Sequence, residues 1–145
     1  MRLRSSSDWD TKCIGHKLGK LLSPGDTVFL TGGLGSGKTT LVKGIAGAFG
    51  INETDITSAS FTIIAEHEGT VPLYHIDLYR LDNLSAIDDI GLYEYIGADG
   101  IAVIEWADKL QGTETATVTV DLEYISENER EITIEGVDEQ SWNNL

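Results

Sequence analysis

A chain of 145 residues with 41% hydrophobic content is the size of one domain with a real core, leaving little room for accessory domains. Ten basic against 24 acidic residues give a net charge of −14, which opposes direct, stable binding of RNA or of an anionic membrane. Solubility, a salty environment and a basic protein partner all fit that balance, and a partner surface is the favoured reading.

Residues 2–7 read as a short edge strand. Asp8 or Asp10 then caps a helix in which Ile14, Leu18, Leu21 and Leu22 share a face, with Cys13 packed beside it. Cys13 is the single cysteine, so an intrachain disulfide and a thiolate metal cluster are both excluded, as suits a reducing cytoplasm. The first residues lack the apolar core of a signal peptide, and no apolar run reaches membrane-spanning length. The expected location is cytoplasmic, with no membrane partner.

Pro24-Gly25-Asp26 signals a turn into Thr27-Val28-Phe29-Leu30-Thr31, a short β-branched run predicted to be a buried strand. Gly32-Gly33-Leu34-Gly35-Ser36-Gly37-Lys38-Thr39 follows and matches the phosphate-loop pattern G-x-x-x-x-G-K-[ST]. Its glycines let successive backbone N–H groups turn inward around phosphate oxygens, where side chains would block the approach. Leu41, Val42, Ile45, Ala46 and Phe49 then recur at helical spacing, and Gly50 stands at the stop. Strand, glycine loop and helix in this order aim a helix N-terminus at a nucleoside triphosphate. The spacing assigns Lys38 to the β- and γ-phosphates and the Thr39 hydroxyl to Mg²⁺.

Ile56 to His67 reads as a switch-like loop and a strand, with Phe61, Ile63 and Ala65 alternating against Thr62, Ile64 and Glu66. Within that loop a hydroxyl of Ser58 or Ser60 is placed either to sense a γ-phosphate or simply in solvent. Val71 to Arg80 gives another strand. Asn83 to Gly97 suggests short helices broken at Gly91, and Ile101-Ala102-Val103-Ile104 is a strand buried on both faces. Thr115 to Ile125 and Arg130 to Ile134 form a hairpin around Ser126-Glu127-Asn128-Glu129. Residues 137–145 read as a polar, loosely ordered tail after a single domain spanning 1–136.

Phosphate hydrolysis or transfer calls for an acid at the end of a neighbouring strand. Asp77 and Glu105 each follow an apolar run and would emerge at the carboxyl edge of the sheet. Asp77 is assigned to the Mg²⁺ shell, and Glu105 either to the metal or to the attacking water. Arg80 either approaches the phosphates or forms an ordinary ion pair. His16, His67 and His75 lack metal-ligand spacing; His75 shares a strand side with Asp77, where it either steadies that acid or, the favoured reading, is a satisfied structural histidine.

In these residues the chain resembles the TsaE (YjeE) family, the bacterial ATPase of tRNA threonylcarbamoyladenosine biosynthesis. The resemblance runs from about Thr11 to Leu110. It includes Thr11 and Gly15, Pro24-Gly25-Asp26, the loop with Thr40-Leu41, and Thr57-Ser58-Ala59-Ser60-Phe61-Thr62. His75-Ile76-Asp77-Leu78-Tyr79-Arg80-Leu81, Gly91-Leu92 and Ile104-Glu105-Trp106 complete it. Two positions depart from the family pattern: Gly33 stands where an acid is usual, and Ala59 where a proline is usual, which leaves that loop less constrained.

The resemblance implies a single-domain α/β P-loop NTPase fold with a mixed, mostly parallel central sheet flanked by helices. It implies weak Mg²⁺-dependent ATP hydrolysis in a complex with the threonylcarbamoyl transferase and its paralogous partner protein, tRNA being contacted only indirectly. Lys38, Asp77 and Glu105 carry the catalytic roles in this reading. Contacts to ATP are expected from Thr11, Gly33, Leu34, Gly35, Ser36, Gly37, Lys38, Thr39, Thr40, Ser60, Trp106 and Arg130, and contacts to Mg²⁺ from Thr39, Asp77 and Glu105. Two rivals are weaker on the residues. A small-molecule kinase needs more cations than the Arg80, Lys109 and Arg130 present beyond the loop helix, and a GTPase needs an absent Asn-Lys-x-Asp element. A non-catalytic module gated by ATP is the third reading.

Overall fold

The computed structural model describes residues 1–57 and 63–145, so Ser58, Ser60, Phe61 and Thr62 lie outside the described residues. The strands are β1 Arg2–Ser5, β2 Thr27–Thr31, β3 Ile64–His67, β4 Leu73–Asp77, β5 Ile101–Glu105, β6 Val118–Tyr124 and β7 Arg130–Glu135. They form one sheet in the order β1-β7-β6-β2-β5-β4-β3. The four central strands run parallel, and antiparallel pairing is confined to β3 against β4 and to the β6–β7 hairpin extended by β1. The mixed, mostly parallel sheet and its C-terminal hairpin are as the sequence predicts.

Two apolar layers sandwich the sheet. Val28, Leu30, Ile101 and Val103 pack against Leu18 of α1 (Asp8–Gly19) and against Leu41, Val42 and Ile45 of α2 (Lys38–Gly47). Ile76, Ile104, Leu92 and Ile87 of α3 (Leu84–Asp89) build the smaller layer on the other face. Ile101 to Glu105 is buried throughout, which explains its continuous apolar pattern.

The helices α1 and α2 touch through glycine rather than through interlocking large side chains. A Cβ on Gly44 would sit 2.1 Å from the Lys12 carbonyl oxygen, and one on Gly15 would sit 2.3 Å from that of Leu41. That close approach fixes α2, and hence the loop at its N-terminus, against α1.

Several local expectations need correction. Ser7, not Asp8 or Asp10, caps α1 by accepting from the Asp10 amide. The buried face of α1 is Thr11, Gly15, Leu18 and Gly19; Leu21 and Leu22 lie past its end, and Cys13 is exposed. Phe49 is buried but follows α2, which ends at Gly47. The strand expected over Val71 to Arg80 is only Leu73–Asp77, because the Asp77 carboxylate turns back to accept from the Tyr79 amide at 2.9 Å. The expected loose tail contains a helix, α4 (Glu139–Asn143), which puts Trp142 at 5% exposure into the main core.

Candidate phosphate-binding site

The loop after β2 is shaped by backbone that only glycine adopts readily. Gly32 has φ 140°, Gly35 73° and Gly37 99°. Gly32 is also enclosed, since a Cβ there would lie 2.4 Å from the Leu122 carbonyl oxygen. Gly33 differs: its φ is not positive and nothing lies within 4 Å of a Cβ built on it. The acid usual in the resembling family would therefore fit, and its replacement by Gly33 leaves the cradle's shape intact.

Lys38, 6% exposed, folds its ammonium back over the loop. Its Nζ donates to the carbonyls of Gly32 and Gly33 at 2.7 Å each and to Ser36 Oγ at 3.2 Å. The same Nζ lies 4.1 Å from the centre of the Trp106 ring. Burial lowers the Lys38 pKa below its ordinary 10.5, opposed by the negative charges of Glu105, Asp77, Asp108 and Asp121. A desolvated cation facing carbonyl oxygens is a group ready to exchange them for phosphate oxygens.

Both predicted acids emerge side by side. Register in the parallel β4–β5 pair sets Asp77 directly beside Glu105, each at the last residue of its strand. Both are buried, at 7% and 2% exposure. The Thr39 hydroxyl donates towards Glu105, with Oε1 at 3.3 Å and Oε2 at 3.4 Å. His75 faces Glu105: its Nε2 lies 2.5 Å from Glu105 Oε2. The ring thus reaches across to the adjacent strand, as a satisfied buried histidine.

These groups line a cleft of about 540 Å³ at the carboxyl edge of the sheet. Leu34, Gly35, Ser36, Gly37, Lys38, Thr39 and Thr40 form its floor, with Asp77, Glu105 and Trp106 on one side and Arg130 from the hairpin among the remaining wall residues. Arg80 lines it as well. Arg130 is held by the carbonyls of Ser126 and Glu129 at 2.6 and 2.9 Å, with its guanidinium 4.5 Å from the Tyr124 ring centre. Thr11 stands behind the cleft: it is 2% exposed, its hydroxyl shares a 2.7 Å hydrogen bond with Ser5, and it backs Gly37. Ser60 lies outside the described residues.

Two lining residues had no site role in the sequence reading. Asp8 enters the cleft from the first turn of α1, and Tyr79 stacks on Trp106 at a centroid distance of 5.0 Å. Tyr79 had a usable signal, an aromatic two residues beyond the strand-end acid. Asp8 had none, because acids in a first helical turn are ordinary.

A strand, glycine loop and helix facing two strand-end carboxylates define the class: an α/β protein of the P-loop type. The family model described as "Threonylcarbamoyl adenosine biosynthesis protein TsaE" matches residues 5–132, and the chain belongs to that family. It is 42% identical over 135 residues to the tRNA threonylcarbamoyladenosine biosynthesis protein TsaE of Treponema pallidum, covering 92% of this chain and 99% of that one. The identity to the protein of the same name from Bacillus subtilis is 36%, covering 94% of this chain and 86% of that one. A crystal structure of Bacillus subtilis YdiB superposes with a TM-score of 0.75 at 34% identity, covering 97% of this chain and 88% of that one. Among the described residues no helix is long and apolar enough to cross a membrane.

Proposed function

We propose that this chain is the Mg²⁺-dependent ATP-binding and ATP-hydrolysing component of the assembly that makes N6-threonylcarbamoyladenosine in tRNA. In that role it supports repeated turnover by the threonylcarbamoyl transferase and its paralogous partner protein, in the cytoplasm. The observation that carries the ATPase reading is the convergence of Lys38, Thr39, Asp77 and Glu105 on one cleft beside a backbone cradle. The names borne by the relatives support the tRNA-modification reading.

The donor set fits the groups this reading requires. Thr39 and Glu105, already in contact, would hold Mg²⁺ with Asp77 beside them, and the ion would supply positive charge against the phosphates. Lys38 trades the Gly32 and Gly33 carbonyls for phosphate oxygens. His75 holds Glu105 at Oε2 and so fixes the carboxylate that faces the Thr39 hydroxyl. Trp106 and Tyr79 pack on each other along the cleft and offer it apolar surface.

The test is Mg·ATP hydrolysis by the purified chain, alone and with the two companion proteins. Lys38→Ala is expected to weaken triphosphate binding, and Glu105→Gln to lower turnover by about 100-fold or more while sparing binding. Unchanged hydrolysis in Glu105→Gln would remove Glu105 from the mechanism. Turnover in the wild-type chain that stays flat when the companions are added would remove the modification complex as its setting.

A further inference from the structure

A second groove, of about 620 Å³, runs along the outer side of α1 and α2, away from the nucleotide cleft. Lys12, Lys17, Lys20 and Lys43 line it, four of the ten basic residues in the whole chain. Glu53 and the final residue, Leu145, line it too, and Lys12 engages Glu53 at 3.0 Å. The groove also has apolar surface: Trp9 is 71% exposed at its edge, and Gly44 and Gly47 contribute floor without side chains. Exposure of a tryptophan beside four lysines, on a protein of net charge −14, is a local reversal of the surface's character.

We propose that this groove docks an acidic segment of a partner protein, which sets a bulky apolar side chain against Trp9 and the glycine floor and places carboxylates among the lysines. An apolar anchor within a rim of opposite charge is how such segments gain affinity and register. RNA suits the groove less well, because it carries a charge at every nucleotide and meets the negative body along its whole length, whereas a peptide segment can confine its carboxylates to the positions that face the lysines. The groove is mechanically joined to the cleft. Helix α2 carries Lys38 and Thr39 in its first turn and Lys43, Gly44 and Gly47 further along, while α1 gives Asp8 to the cleft and Trp9 to the groove. The inference stands on the groove itself and goes beyond the ATPase reading without depending on it.

The experiment titrates the intact chain with three probes: a twelve-residue peptide of Asp, Glu, Leu and Phe, the same peptide with Lys at every acid, and a twelve-nucleotide oligouridylate. Backbone amide shifts and affinity are read together. The acidic peptide is expected to bind saturably, at least about ten-fold more tightly than the lysine peptide, with shifts centred on Trp9, Cys13, Gly44 and Gly47. Lys20→Glu with Lys43→Glu is expected to lose about ten-fold or more of that affinity while the unfolding midpoint and Mg·ATP affinity stay put. Should the double variant fold poorly, Trp9→Ala, at an exposed position, supplies the same comparison by weakening the acidic peptide. Equal binding of both peptides, no saturable binding, tighter binding of oligouridylate, or full affinity in the variants overturns the proposal. Sedimentation showing self-association of the chain that Trp9→Ala abolishes overturns it too.

Discussion

His75 Nε2 lies 2.5 Å from Oε2 of Glu105, and both side chains are only 3% exposed. A carboxylate buried to that degree needs its acceptor sites filled, and this ring is its shortest contact among the described residues, with the Thr39 hydroxyl at longer range. His75→Ala is therefore expected to cost about 1–3 kcal/mol of stability, the penalty for a buried polar group left unsatisfied. It should also let Glu105 rotate, lowering kcat for Mg·ATP more than it changes KM. His75→Gln, which retains a donor, should recover part of both losses. Thermal unfolding and steady-state hydrolysis of the three proteins check this, and an unchanged unfolding midpoint in His75→Ala would contradict it.

The glycines of the loop divide into those the backbone requires and one it does not. At Gly32 a side chain meets both φ 140° and the Leu122 carbonyl oxygen at 2.4 Å, whereas at Gly33 it meets neither strain nor a neighbour. Gly32→Ala should cost about 1–3 kcal/mol through the strained backbone, with a larger loss of triphosphate affinity as the cradle opens. Gly33→Ala should fold and bind like the parent, within about 0.5 kcal/mol. Denaturant unfolding and nucleotide titration of the pair give the answer, and similar penalties at both positions would refute the distinction.

What the sequence makes legible here is contiguous. The loop, its flanking strand and its helix are written in one stretch from Thr27 to Gly50, so local pattern placed them. Asp77 and Glu105 were legible because each closes an apolar run that ends at the sheet's edge. The partner of His75 was not, since a strand's alternation tells which side a residue faces but not which strand lies next to it. Pairing of β4 with β5 supplies that, and brings Glu105 from 30 residues away. Asp8 and Arg130 reach the cleft for the same kind of reason, through the packing of α1 and the hairpin. Helix α4 was hidden by its polarity, although Asp138 three residues before Ser141 is a capping pattern.

Tyr74 offers a pH-dependent test of the β4–β5 region. Its phenol is pushed up to about 12 from an ordinary 10, first by its hydrogen bond to the Asp99 carboxylate and then by desolvation and nearby negative charge. The folded chain thus keeps this proton where the unfolded chain has lost it. The stabilisation is full below pH 10 and disappears as pH rises towards 12. In Asp99→Asn the phenol should ionise closer to 10, and the stability gap to the parent should be widest below that pH and close above it. Phenolate absorbance, with Tyr74→Phe as the reference, follows the ionisation. A gap that widens with alkalinity would reverse the assignment.

The last helix should depend on a single side chain. Five residues cannot sustain an α-helix in water, because nucleation fixes several dihedrals for one hydrogen bond. The cap is in place, with Asp138 accepting from the Ser141 amide at 3.0 Å and from its hydroxyl at 2.8 Å, but a cap contributes only about 1 kcal/mol. What remains is Trp142, buried in the main core with the Lys17 ammonium 4.6 Å from its ring centre. Trp142→Ala is expected to cost about 3–5 kcal/mol and to release residues 138–145 from the main core. Asn143→Ala, on the exposed side of the same turn, should change stability by less than about 0.5 kcal/mol. Hydrogen exchange at the Trp142 and Asn144 amides separates the two cases: rapid exchange in Trp142→Ala with protection kept in Asn143→Ala is expected. Protection that survives in Trp142→Ala would mean that α4 is held by its backbone and cap rather than by the ring.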